Sequence, residues 1–106
     1  MMSIHDFRAS STLSKLVMTQ HGRKRCAERG IRARDIIDAI NTGEIIEDYP
    51  DDTPYPSCLI LGYAGERVLH VCASLDDESM IRLITAYSPD PAKWEADWKT
   101  RKEEKQ

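Results

Sequence analysis

His21, Arg25 and Arg29 stand four residues apart in "HGRKRCAERGIRARD", residues 21–35. On a helix each such step turns about 400°, so the three side chains form a slowly drifting stripe on one face. A neutral histidine at the start of that stripe can accept a proton, and arginines along it can grip a phosphate bidentately. The stripe therefore has the parts to bind a phosphodiester and move a proton beside it. The competing reading is structural: the arginines pair with carboxylates elsewhere and pin the helix down.

A second set lies in segments that alternate with period two. In "RVLHVCAS", residues 67–74, alternation puts Val68, His70, Cys72 and Ser74 on one face. In "MIRLITAYS", residues 80–88, it separates Tyr87 and Thr85 from Arg82 and Ile84. On a water-facing sheet surface, His70 would serve as acid or base, Arg82 as a phosphate clamp and Tyr87 as an auxiliary donor. A strand histidine is more often structural, so the chemical reading of His70 needs a second group beside it. If there is one site, His21, Arg25 and at least one of His70, Arg82 or Tyr87 should border a single concave surface.

The elements that must hold these groups follow from the pattern. Ile4, Phe7, Leu13, Leu16 and Val17 give a short helical pattern broken by "ASSTLS". Thr19 can cap a helix running to about Arg29, with Gly30 at its left-handed end and Ile31 beyond. A second helix, about Ala33 to Thr42, carries the stripe Ile36, Ile37, Ile40 and ends at Gly43. Strands then follow at "EIIEDY", "SCLILGY", "RVLHVCAS" and "MIRLITAYS", joined by short turns that imply an antiparallel meander. Pro91 can open a last helix in which Trp94 and Trp98 share a face. The expected architecture is α+β: two or three helices packed on one face of a four-stranded antiparallel sheet. The segment 1–18 reads as an extension or short helix, 19–94 as the domain, and 95–106 as a polar helix end and tail.

Charge is unevenly spread. The chain has 106 residues and a formal net charge of −3. Yet His21–Arg34 holds six Lys or Arg against Glu28 alone, while Glu44–Asp52 holds five carboxylates and no base. That distribution argues against a nonspecific nucleic-acid coat and leaves room for a local phosphate site. The two patches are complementary, so Arg25 or Arg29 is expected to pair with a carboxylate between Glu44 and Asp52. Residues 20–42 also suggest a helix-turn-helix, but its reading helix, "ARDIIDAINT", carries two aspartates and three isoleucines and would repel phosphate. The three histidines and three cysteines have no paired ligand spacing, so no metal or other cofactor is expected. No apolar run approaches a membrane span and no export signal is evident, which points to a reduced, cytoplasmic setting.

"HGRKRCAERGI", "DIIDAINTGEIIEDYP", "LHVCASLDD" and "IRLITAYSPDPAKW" together resemble the bacterial domain-of-unknown-function family numbered 4258 over roughly residues 19–94. Gly22 stands where that family usually has alanine, and Arg32 where a Ser or Thr cap is expected. The family's layout is similar to the BrnT and RelE toxins, small ribonucleases of type II toxin–antitoxin systems. Set beside that layout, the residues read as a metal-free RNA-cleaving site, with His21, His70 and Tyr87 the catalytic candidates and Arg25, Arg29 and Arg82 the phosphate-binding ones. The resemblance also implies an antitoxin protein as partner and RNA or a ribosome as target. A non-enzymatic protein-binding module, with Trp94, Trp98 and a strand edge serving a partner or a homodimer, stands beside it.

Overall fold

A computed structural model describes residues 2–103. The order is α1 (Ile4–Ala9), a 3-10 turn (Leu13–Lys15), β1 (Leu16–Val17), α2 (Gln20–Glu28), α3 (Ala33–Thr42), β2 (Glu44–Tyr49), β3 (Ser57–Ala64), β4 (Arg67–Leu75) and β5 (Ile81–Tyr87). The sheet runs β1-β5-β4-β3-β2. β2 to β5 form the expected antiparallel meander.

Among the described residues the sheet has five strands, not four, and is not wholly antiparallel: β1 adds to β5 in parallel, Leu16 opposite Ile81 and Val17 opposite Arg82. A two-residue strand is too short to show a period, and its apolar residues mimic helical spacing with Leu13.

α2 and α3 form because their ends are marked. The Thr19 hydroxyl accepts from the Gly22 N–H at 3.0 Å. At the other end Gly30 takes φ +66, and the Ile31 N–H reaches the Cys26 carbonyl at 2.8 Å. α3 lacks a hydroxyl cap. Instead Asp35 reaches back to the Arg32 N–H at 2.8 Å and pairs with the Arg32 guanidinium. Ile36, Ala39 and Ile40 of α3 meet Cys58, Ile60, Leu69, Val71 and Ala73 of the sheet, and Phe7 of α1 is sealed into the same core. Among the described residues no helix is long and apolar enough to cross a membrane.

The other sheet face is not simply wet. Leu59, Leu61 and His70 are buried there, although alternation turns them away from the helices. The segment from Asp90 to Arg101 lies over His70, through Trp94 and Trp98, and borders Leu61. It is not the expected helix: it runs through turns to a single bridge between Trp94 and Arg101. The Asp90 carboxylate accepts from the Ala92 N–H, and the Asp97 carboxylate from the Lys99 and Thr100 N–H groups, each near 2.9–3.0 Å. Such local side-chain bonds compete with helical ones, and Trp98 completes the turn at φ 61. Residues 104–106 of the expected tail lie outside the described residues.

The basic and acidic segments do not meet. Among the described residues neither Arg25 nor Arg29 pairs with a carboxylate; Glu44 pairs with Lys99 and Glu47 with Arg101. Strand order explains it: α2 packs on β5, while β2 is the opposite edge strand.

Candidate functional site

α2 runs beside β5, and between them lies a groove of about 240 Å³ bordered by Thr19, His21, Arg25, Arg29 and the strand segment Leu83–Ala86. β1 pairs only with Ile81 and Arg82, so β5 is a sheet edge beyond that point. The Arg29 guanidinium spans the far end, donating to the Ala86 carbonyl at 2.8 Å and the Thr85 hydroxyl at 3.2 Å. Arg67 of β4 holds that end of α2 in place, donating to the Arg29 carbonyl at 2.7 Å and the Gly30 carbonyl at 2.8 Å. A cation on the last carbonyls of a helix also complements its dipole.

His21, Arg23, Lys24 and Arg25 are exposed and, among the described residues, make no side-chain hydrogen bond or ion pair. Three unpaired cations and an imidazole thus project from one short helix. That arrangement suits a polyanion, because no internal partner has to be displaced.

The second set lies elsewhere. His70 faces the covered side of the sheet, so the groove brings His21, Arg25 and Arg29 together without His70, Arg82 or Tyr87. Alternation along β5 also fails at one point: a bulge at Ile84 leaves Arg82 opposite Ser74 and Tyr87 opposite His70, on the same face. Arg82 is held by Asp76 at 2.9 Å, near the opposite end of the strand from Tyr87.

His70 is fully committed. Its Nε2 lies 2.7 Å from the Trp98 carbonyl, which can only accept, so Nε2 carries the proton. Nδ1 is then left to accept from the Tyr87 hydroxyl at 3.3 Å. Trp94 packs edge-on against the ring at 4.4 Å. Burial holds the His70 pKa below the ordinary histidine value, outweighing the Trp98 hydrogen bond and the Glu47 charge.

The unfolded chain binds the proton more tightly, so the contribution is present above the unfolded pKa of about 6.5 and is lost as pH falls towards the depressed folded value. Urea midpoints should therefore drop between pH 7 and pH 5.5, and His70→Gln should flatten that slope. An equal slope in both proteins would remove His70 as its cause.

Beside His70, Glu47 receives Arg101 through two bonds of 2.8 and 2.9 Å and also accepts from the Tyr49 hydroxyl. The Arg101 bonds hold the Glu47 carboxyl below its usual range, while burial and that same carboxylate push Tyr49 up to about 12. Arg101 lies over the Trp94 ring at 4.6 Å. Sequence reasoning missed Arg67 and Arg101. Both are cations whose partners sit across the fold, and Arg101 reads in sequence as part of a polar tail.

Comparison with curated proteins and with solved structures finds no match. Residues 18–88, from the end of β1 through the whole of β5, match the family described as a domain of unknown function, DUF4258, and the chain belongs to that family.

Proposed function

We propose that this chain is a toxin-like, metal-independent ribonuclease whose RNA site is the groove between α2 and β5. One observation carries the reading: His21 and Arg25 are unpaired on the same groove that Arg29 closes. In the step this supports, His21 takes the proton of an RNA 2′-hydroxyl and the 2′-oxygen forms a bond to the adjacent phosphorus. Arg25 and Arg29 stabilise the charge on the pentavalent phosphate. The bond to the 5′-oxygen breaks, that oxygen takes a proton from water in the open groove, and a 2′,3′-cyclic phosphate remains. His70, Arg82 and Tyr87 have no part in this version, since they do not border the groove. An antitoxin protein is the partner the reading implies, and RNA, free or on a ribosome, the target.

A second reading is favoured by one fact: among the described residues the groove holds one histidine and no carboxylate, and burial pushes the pKa of its Cys26 thiol up, so no second group is suited to proton transfer near neutral pH. A domain that binds RNA or protein there without cutting it fits that fact equally well. The test is labelled single-stranded RNA with purified, antitoxin-free protein, followed by anisotropy and by gel, with and without ribosomes. About three phosphates neutralised should give a log–log salt slope near −2, or roughly 20-fold weaker binding from 50 to 200 mM salt. Salt-sensitive binding with cyclic-phosphate products supports the ribonuclease. Binding without products supports the binding module, and no binding removes the groove as an RNA site.

A further inference from the structure

The end of β5 separates two concavities. Ala86 borders the α2 groove, while the next residue, Tyr87, borders a pocket of about 370 Å³ on the other side of the sheet. Ser88, Asp90, Lys93, Trp94 and Arg101 complete that pocket. Arg29 already contacts the strand edge between them through the Thr85 hydroxyl and the Ala86 carbonyl.

Arg101 is the unusual part. Glu47 grips it from one side with two hydrogen bonds, and Trp94 lies against it at 4.6 Å, so the guanidinium plane is fixed. Its side chain is nevertheless 61% exposed. The charge is largely answered by Glu47, so a bare anion gains little there. A flat ring does gain, because stacking on a guanidinium plane needs no net charge. Among the described residues Lys93 makes no side-chain ion pair, and it stands on the same pocket. Ser88 and Asp90 add a donor and an acceptor for the edge of a planar ring.

We propose that this pocket is a nucleobase subsite: an unpaired base lies on the outer face of Arg101, with its phosphate on Lys93. The inference rests on the reading of the α2 groove as an RNA site and extends it, because a single strand draped over the β5 edge would place its backbone in the groove and one base here. Duplex RNA is excluded from such a path, since its bases are paired and stacked.

Trp94 makes the subsite directly observable. In a Trp98→Phe variant, the remaining tryptophan sits beneath the stacking plane. Adenosine monophosphate and oligoadenylate should quench it saturably, while ribose 5-phosphate and an abasic oligomer should not. Arg101→Lys keeps the charge and loses the plane; it should weaken adenosine monophosphate about tenfold or more, in line with the worth of one base stack. Lys93→Ala, an exposed and unpaired position, should weaken the nucleotide and leave the denaturation midpoint unchanged, which keeps the test valid if Arg101→Lys loosens the segment. Salt-sensitive RNA binding that is reduced in Arg25→Ala, with Trp94 silent to every nucleotide, would overturn the subsite and leave the groove standing. Quenching by the mononucleotide without RNA binding would keep the subsite and end the RNA reading. Equal quenching with and without a base would show an anion site only, against the proposal.

Discussion

Gly62→Ala is expected to cost about 3–5 kcal/mol, a large share of what holds a domain of this size together. Gly62 lies on β3 where α3 comes closest to the sheet. A Cβ built there would stand 1.9 Å from the Ala39 carbonyl oxygen and 2.8 Å from the Ala39 Cα. Those are backbone atoms, so no side chain can swing aside; α3 must lift from the sheet. Lifting it opens the layer in which Ile36, Ala39 and Ile40 meet Ile60 and Val71, all fully buried. Gly65 is the control. It sits at φ +63 in the β3–β4 turn with nothing within 4 Å of an added Cβ, so Gly65→Ala carries only the conformational cost of about 1–2 kcal/mol. Thermal denaturation of the pair should separate them, with Gly62→Ala melting about 10 °C or more below Gly65→Ala. Equal melting temperatures would mean that α3 can slide without loss.

A glycine inside a strand, as in "SCLILGY", is a general sign of close backbone approach, and much of the fold is readable in the same way. Thr19, Gly30 and Gly43 bound two helices because each meets a backbone need within three or four residues of itself. The four long strands show their period. What the sequence hides is long-range. Nothing near Arg29 in the chain says that it will find the Ala86 carbonyl, and nothing near Arg101 points to Glu47. Complementary charge suggested that the basic and acidic segments would pair, but charge attracts only what topology brings close, and the strand order places them at opposite edges. The bulge at Ile84 and the Asp-centred turns after Asp90 are local, yet each overrides a periodic pattern that reads plausibly without it. The candidate site divides along the same line. The helical stripe of His21, Arg25 and Arg29 is a local property and was legible. Whether a strand histidine shares its face is not local, and His70 does not.

That division leaves His21 as the histidine on the groove. If the groove cleaves RNA, His21→Ala should lower the cleavage rate about 10²- to 10⁴-fold, the usual worth of a positioned base, while RNA affinity changes by less than about threefold. The His21 side chain is exposed and makes no hydrogen bond among the described residues, so the fold loses little with it. Arg25→Ala should behave differently. It removes a cation that acts on the ground state as well as the transition state, so affinity falls and the log–log salt slope becomes shallower by about 0.7. Arg29 is the poorer probe, because its bonds to Thr85 and Ala86 tie α2 to β5 and its loss moves the groove itself. The split between the two clean variants is what separates catalysis from binding. Single-turnover cleavage and anisotropy on the same RNA read both quantities at once. Undiminished cleavage by His21→Ala would place the proton acceptor outside α2. Undiminished affinity in Arg25→Ala would take the phosphate off the stripe, and the unpaired cations of α2 would then have to answer to an acidic protein partner instead.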